Sequence, residues 1–162
     1  MAIEIEHKFA VDTAKWQRPQ NGCKMVQGYL CNDNCTIRVR IADDKAFLTI
    51  KSHSSGISRE EYEYGIPVED ARNLLKMSLW PPVEKTRYIE IFHGKRWEID
   101  VFEGTNAGLV MAEIELSSED ETFDLPPWAG DKLSGDKRYS NSYLSQHPYG
   151  TWGKENPSNN LT

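Results

Sequence analysis

The stretch EIEHK, residues 4–8, decides how this chain is expected to fold. Successive side chains of a β-strand point to opposite faces, so Glu4, Glu6 and Lys8 would share one face of a strand. The opposite face would carry Ile3, Ile5, His7 and Phe9. Whether the charged face meets bulk water or an enclosed space has to be judged from the strands that follow.

The same alternation recurs along the chain, in CTIRVRI, FLTIK, REEYEY, EKTRYIE, RWEIDVF and MAEIEL. In each segment, long charged side chains alternate with apolar or aromatic ones, which predicts a strand with one charged and one apolar face. Beyond residues 4, 6 and 8, the charged face would carry Arg38, Arg40, Lys51, Arg59, Glu61, Glu63, Lys85, Arg87, Arg96, Glu98, Asp100, Glu113 and Glu115.

Two interpretations of this charged face are open. Antiparallel sheets with one face in water are common, so solvated charges are the simpler explanation. Solvation gives no reason, however, for charges to sort by strand, and here positions 38/40 and 85/87 are cationic while 113/115 is anionic. We therefore expect the charged face to line the inside of a closed barrel. Amphipathic helices and the C-terminal region, which is rich in Trp and Pro, would cover the apolar exterior.

An enclosed set of charges needs compensation, because burying ions without partners is costly. Arginine and lysine suit phosphate groups, and carboxylates suit hard divalent cations such as Mg²⁺ or Mn²⁺. A metal–triphosphate complex would satisfy both kinds of side chain.

About eight antiparallel strands with few helices are typical of a closed barrel or a sandwich. We expect hairpins at the ADD and HGK turns, an amphipathic helix at 67–77 and a short helix at 142–147. A further helix is predicted at 12–19, with Asp12 as its cap and Pro19 as its end. Residues 123–141 are rich in turn formers, and a domain over 1–147 would be followed by a loose tail over 148–162.

The composition sets limits on function. The chain has 162 residues, 38% hydrophobic and 27% charged, and a net charge of −6. This acidity argues against general nucleic-acid binding, and no apolar run is long enough to predict a membrane span or a signal peptide. Cys23, Cys31 and Cys35 are too few for a disulfide framework, so the expected location is cytoplasmic. Residues 31 and 35 are better explained as free thiols than as half of a zinc site.

The charged strands resemble those of the CYTH superfamily, the triphosphate tunnel metalloenzymes. EIEHKF matches the E-x-E-x-K signature of that family, and the likeness continues in order through QGYL, TIRVRI, LTIK, SREEYEYGIP, EKTRY, WEIDVFEG, LVMAEIEL and SGDKRYSN. The resemblance implies a mainly β (α+β) fold, a closed eight-stranded antiparallel barrel that forms a tunnel, with flanking helices. It covers the chain up to about His147.

The resemblance also implies roles for individual residues. Divalent metal, Mg²⁺ or Mn²⁺, would be held by Glu4, Glu6, Asp100, Glu113 and Glu115. Phosphates would be bound by Lys8, Arg38, Arg40, Lys51, Arg59, Lys85 and Arg87. Lys8, Glu61 and Glu63 would act in catalysis, the glutamates by holding the attacking water. Arg96 and Glu98 are expected to form an ion pair at the rim instead.

The activity that the resemblance implies is metal-dependent hydrolysis of inorganic triphosphate to pyrophosphate and phosphate. An adenylyl cyclase, a thiamine or nucleoside triphosphatase, and a non-enzymatic polyphosphate-binding module are the alternatives. The expected partner is a small polyanion rather than nucleic acid or membrane. The sequence leaves the oligomeric state open, a homodimer included.

Overall fold

The alternating segments form antiparallel strands that close into a ring. The computed structural model describes residues 1–155 of the chain. Its strands are β1 (Ala2–Val11), β2 (Cys23–Asn32), β3 (Thr36–Ala42), β4 (Lys45–Lys51), β5 (Ser58–Ile66), β6 (Val83–Phe92), β7 (Lys95–Phe102), β8 (Val110–Glu115) and β9 (Ala129–Lys132). Around the sheet the order is β5-β4-β3-β2-β6-β7-β8-β1-β9, and β5 also pairs with β1.

Strand β1 closes the barrel because it pairs with a different strand along each part of its length. Its first residues pair with β5, from Ala2 opposite Glu61 to Ile5 opposite Ser58. Its second half pairs with β8 along its other edge, from Glu6 opposite Glu115 to Ala10 opposite Met111. The predicted closed barrel of eight antiparallel strands is therefore confirmed, with β9 added beside the end of β1.

Both predicted hairpins are present. The β6–β7 turn contains His93 and Gly94, with φ of 46° and 74°. Positive φ at both central residues is the geometry that matches the right-handed twist of the flanking strands. The β3–β4 turn likewise places Asp43 at φ 51°.

The outward face of the barrel is apolar and covered. Helix α1 (Val68–Leu75) packs Ala71 against Val39 and Ala46 of the β3–β4 hairpin. Another part of the outer face packs against the segments before β2 and after β8, in a cluster that includes Ile5, Phe9, Trp16, Tyr88, Trp97, Ile99, Ile114 and Trp128. Burial of these large side chains provides the main hydrophobic stabilisation.

One end of the barrel is closed by helix α2 (Asn141–Gln146). Its Leu144 is fully buried among Val83, Phe102, Leu109 and Met111. A final short helix, α3 (Trp152–Glu155), follows a single 3₁₀ turn at Tyr149–Thr151. Within residues 1–155, no helix has the length and apolar character needed to cross a bilayer.

Two local predictions need correction. The helix expected at 12–19 is wrong: only one turn forms there, with the carbonyl of Asp12 accepting from the amides of Lys15 and Trp16. The side chain of Trp16 is buried in the hydrophobic cluster on the outer face of the barrel. The turn-rich region 123–141 contains strand β9, which extends the edge of β1.

The predicted tail is only partly described. Its first residues are not loose, because the ring of Trp152 packs against those of Tyr139 and Tyr149, with centroids 5.3 and 5.0 Å away. Residues 156–162 lie outside the described part of the chain. The domain boundary at residue 147 stays a prediction.

Candidate active site

The charged faces of the strands line a cavity of about 210 Å³ inside the barrel. Almost every residue expected to face inward lies on its wall: Glu4, Glu6, Lys8, Arg38, Arg40, Lys51, Arg59, Glu61, Glu63, Lys85, Arg87, Glu113 and Glu115. There are two exceptions: Asp100 lies beneath the wall and is 1% exposed, and Arg96 is exposed to solvent and is not part of the wall. The barrel thus has an ionic interior and an apolar exterior.

The strands richest in cations and those richest in carboxylates lie on opposite sides of this cavity. Strands β3 and β6 flank β2 and carry the cations Arg38, Arg40, Lys85 and Arg87. Strands β1 and β8 pair on the far side of the ring, where Glu6 faces Glu115 and Lys8 faces Glu113. The sorting by strand seen in the sequence therefore becomes a separation in space.

The cationic side is electrostatically crowded. Burial and the neighbouring guanidinium groups of Arg38 and Arg87 lower the pKa of Arg40 to about 9. Burial also lowers the pKa of Lys85, to about 7, although Asp100 opposes the shift. The Nε of Arg38 is buried without a hydrogen-bond partner. An anion in the cavity would relieve the repulsion and could accept from such a donor.

Asp100 holds two of these cations in place. Its Oδ2 accepts from Lys85 Nζ at 2.7 Å, and its Oδ1 accepts from Arg87 Nε at 2.7 Å. Burial alone would raise the pKa of Asp100, but Arg87 and Lys85 outweigh it and hold the pKa far below its usual range. The structure therefore places both oxygens of Asp100 on cations, away from the cavity in which a metal ion would bind.

On the carboxylate side of the cavity, formed by β1 and β8, burial and neighbouring carboxylates disfavour the charged form of Glu6 and Glu115. Burial, with a contribution from the Glu113 carboxylate, raises the pKa of Glu6 to about 8. Burial and the nearby charges of Glu4 and Glu98 raise that of Glu115. The Lys8 ammonium is 3.9 Å from Glu6 and 4.0 Å from Glu113, too far for a short hydrogen bond to either. A cation placed here would be stabilised.

A tighter ion cluster joins β1, β4 and β5. Lys51 Nζ donates to Glu4 Oε2 at 2.8 Å and lies 3.4 Å from Glu61, and Arg59 Nε donates to Glu4 at 3.0 Å. Burial alone would raise the pKa of Glu4, but these two cations outweigh it and keep the pKa well below its usual range. Glu4 is thus already paired.

Glu61 and Glu63, the two predicted water-holding residues, differ in environment. Burial and a hydrogen bond with Glu4 raise the pKa of Glu61. Glu63 accepts from Thr49 Oγ1 at 2.8 Å, and its side chain is 40% exposed. Glu61 is the more enclosed of the two, and the upward shift of its pKa is in the direction that suits a general base operating near neutral pH.

Sequence reasoning missed the lining residues Tyr29, Thr36, Ser140, Asn141 and Ser142, and it assigned Glu98 to the rim. Glu98 shows that the expected rim pair was wrong, because its carboxylate accepts from Arg87 at 2.6 Å inside the cavity. The alternation of Glu98 with Trp97 in the sequence was the signal that could have indicated an inward-facing position. The polar residues of α2 carry no such signal, because they resemble an ordinary helix cap.

The donor chemistry of the carboxylate side fits a hard divalent cation. No three His, Cys, Asp or Glu side chains in the described residues are gathered around one point. That arrangement fits Mg²⁺ or Mn²⁺ bound by one or two carboxylates together with substrate phosphates, rather than a site made by protein ligands alone. Glu6, Glu113 and Glu115 lie on this side of the cavity wall.

A second cavity of about 400 Å³ adjoins the first and shares Glu4, Glu6, Lys8 and Arg59 with it. Its outer wall is made by the loops at 54–57 and 133–137. On this edge of β1, pairing with β5 ends at Ile5 and pairing with β9 begins at Phe9. The barrel wall is therefore incomplete beside Glu6.

Curated relatives match nearly the whole chain. An inorganic triphosphatase of Acetivibrio thermocellus is 46% identical over 151 residues, which cover 92% of this chain and 97% of that protein. An inorganic triphosphatase of Nitrosomonas europaea is 38% identical over 147 residues, covering 88% and 96%.

Solved structures agree with this fold. The crystal structure of the inorganic triphosphatase NE1496 has a TM-score of 0.65 and 36% identity, and the match covers 88% of this chain and 97% of that one. A Hippeastrum protein described as a putative adenylyl cyclase with dominant triphosphatase activity has a TM-score of 0.52 at 16% identity, covering 73% and 80%, which is a likeness of fold alone. The family model of the CYTH domain matches residues 2–146, and the chain belongs to the CYTH domain family.

Proposed function

We propose that this protein hydrolyses inorganic triphosphate to pyrophosphate and phosphate, and that the reaction depends on a divalent metal ion. The observation that carries the proposal is the separation of charge across the cavity. On the cationic side, burial and two neighbouring guanidinium groups lower the pKa of Arg40, although Asp100 holds Lys85 and Arg87. On the carboxylate side, burial and the Glu113 carboxylate raise the pKa of Glu6, although Lys8 lies 3.9 Å away. A metal–triphosphate complex supplies an anion to the cationic side and a cation to the carboxylate side. The two curated relatives named inorganic triphosphatase support the same substrate.

Phosphoryl transfer depends mainly on placement and on stabilisation of developing charge. In the proposed reaction, Arg38, Arg40, Lys85 and Arg87 bind the phosphates, with Lys8, Lys51 and Arg59 completing the set. Asp100 acts as a positioning residue for Lys85 and Arg87. These fixed cations stabilise the negative charge that grows on the leaving pyrophosphate.

The attacking group is a water molecule whose oxygen forms the new bond to the terminal phosphorus as the bond to the bridging oxygen breaks. Glu61 is the proposed acceptor of the water's proton, with Glu63 beside it, and Lys8 lies next to the attacked group. Glu6, Glu113 and Glu115 are the candidate carboxylates, one or two of which would hold Mg²⁺ or Mn²⁺ together with substrate phosphates. The ion would neutralise charge on the phosphate oxygens.

A phosphate-release assay on inorganic triphosphate, ATP and thiamine triphosphate, with and without Mg²⁺ or Mn²⁺, tests the proposal. We expect release from inorganic triphosphate to be fastest and to disappear in a chelator. Cyclic AMP formed from ATP would favour the cyclase, and binding of triphosphate without release would favour a polyphosphate-binding module. Either result, or metal-independent release, would contradict the proposal.

Variants connect the assay to the cavity. Glu115→Gln and Lys8→Ala should each lower kcat by at least about 100-fold, because each removes charge aimed at the reacting groups. Glu60→Gln is the matched control, since Glu60 is exposed and points to the opposite face of β5 from Glu61. Near-normal turnover in both cavity variants would refute these assignments.

A further inference from the structure

A single amide of helix α2 joins two of the cavity's cations. Oδ1 of Asn141 accepts from Lys85 Nζ at 2.9 Å and from Gln27 Nε2 at 2.9 Å. Lysine has only donors, so its position fixes which atom of the Asn141 amide faces it. These two bonds connect α2, the helix that closes one end of the barrel, to side chains of β2 and β6.

The second of these bonds continues to another cation. Gln27 is completely buried, and its Oε1 accepts from Arg40 Nε at 2.8 Å. Its Nε2 also donates to the hydroxyl of Tyr29 at 3.2 Å. Asn141 therefore contacts Lys85 directly and reaches Arg40 through one intervening side chain.

This geometry limits how the two cations can move. The Lys85 ammonium is held from one side by Asp100 and from the other by Asn141. Without Asn141 the Lys85 ammonium would keep only Asp100 of these two acceptors, and Gln27 Nε2 would keep only its longer hydrogen bond to the Tyr29 hydroxyl, at 3.2 Å. A buried donor that loses its acceptor favours rearrangement, because the unpaired state is costly.

We propose that Asn141 is a positioning residue of the anion site, which holds Lys85 directly and Arg40 through Gln27 in the arrangement that binds phosphates. Helix α2 is then part of the binding apparatus as well as the cover of the barrel's end. The inference rests on the proposed function only for the identity of the anion.

Calorimetric binding of inorganic triphosphate in the presence of a chelator tests this without requiring turnover. Asn141→Ala should weaken binding about 5- to 30-fold, the effect expected for loss of a hydrogen bond to a charged group. Gln146→Ala, which truncates an exposed amide on the same helix, should bind within twofold of wild type. An Asn141→Ala protein that also binds within twofold would overturn the proposal.

The double variant separates positioning from a general structural effect. If Asn141 acts through Lys85, Asn141→Ala should cost at least threefold less in a Lys85→Ala background than in the wild type. Equal losses in the two backgrounds would mean that Asn141 does not act through Lys85, and would refute the inference.

Asn141→Asp provides a test that does not depend on the smaller side chain. It keeps the size and the oxygen that accepts both hydrogen bonds, so its melting temperature should stay close to that of wild type. Its negative charge beside the anion site should weaken triphosphate binding at least tenfold. Wild-type affinity in this variant would overturn the proposal. If the wild type binds triphosphate and fails to hydrolyse it, the proposed function fails while these binding comparisons still decide the role of Asn141.

Discussion

At the scale of single residues, alternation within strands was sufficient to predict most of the charged side chains that line the cavity. Strand geometry fixes the face on which a side chain lies, so Arg38 and Glu115 could be placed without knowledge of the fold's details. Alternation does not predict whether an inward-facing side chain reaches the cavity or is buried beneath its wall. Asp100 has the same parity as Glu98, yet Glu98 reaches the cavity and Asp100 ends beneath it on Lys85 and Arg87.

The burial of Asp100 leads to a prediction about stability. Asp100→Asn should lower the free energy of unfolding by about 3–5 kcal/mol, because it leaves two buried cations without their carboxylate. Urea denaturation with metal and phosphate absent is the measurement, so that no ligand compensates the loss.

An ion pair at the surface with the same N···O distance serves as the control. Asp136 is also 2.7 Å from its partner, Arg138, but both side chains are at least 35% exposed. Asp136→Asn should therefore cost no more than about 1 kcal/mol. Equal losses from the two substitutions would show that burial does not decide the strength of the Asp100 pair.

At the scale of elements, the strands and hairpins were predictable because each carries both alternation and turn formers. The segment at 12–19 carries a cap and a proline but lacks a helical apolar stripe, and burial of Trp16 in the core decides its path. Strand β9 is only Ala129–Lys132 and shows little alternation, so its pairing with β1 is set by tertiary contact rather than local sequence.

The docking of α1 on the barrel depends on the absence of a side chain at Gly28 of β2. A Cβ there would lie 2.1 Å from Ser78 Oγ and 3.1 Å from both Ser78 Cβ and Leu75 Cδ2, at the end of α1. Gly28→Ala should destabilise the protein by about 1–3 kcal/mol, the usual cost of overpacking.

The comparison is Gly65→Ala on β5, where a Cβ would meet no atom within 4 Å. We expect that substitution to change the free energy of unfolding by less than about 1 kcal/mol, as measured by thermal or urea denaturation. If Gly28→Ala proved as harmless as Gly65→Ala, α1 would not be packed against β2 as described.

At the scale of the whole molecule, the barrel reverses the usual distribution of side chains. Its outward face supplies the hydrophobic packing, and its interior holds charged side chains that line the cavity and are partly paired with one another. The sequence predicted this reversal from charges that sort by strand. It could not predict that α2 would supply Asn141 to the wall, because that contact joins segments far apart in the chain.

A crystal structure of the protein soaked with inorganic triphosphate in the presence of a chelator tests the central claim most directly. The account predicts phosphate oxygens within hydrogen-bond distance of Arg38, Arg40, Lys85 and Arg87, inside the barrel. Triphosphate bound only on the outer surface, with these four side chains unchanged and free of phosphate, would contradict it.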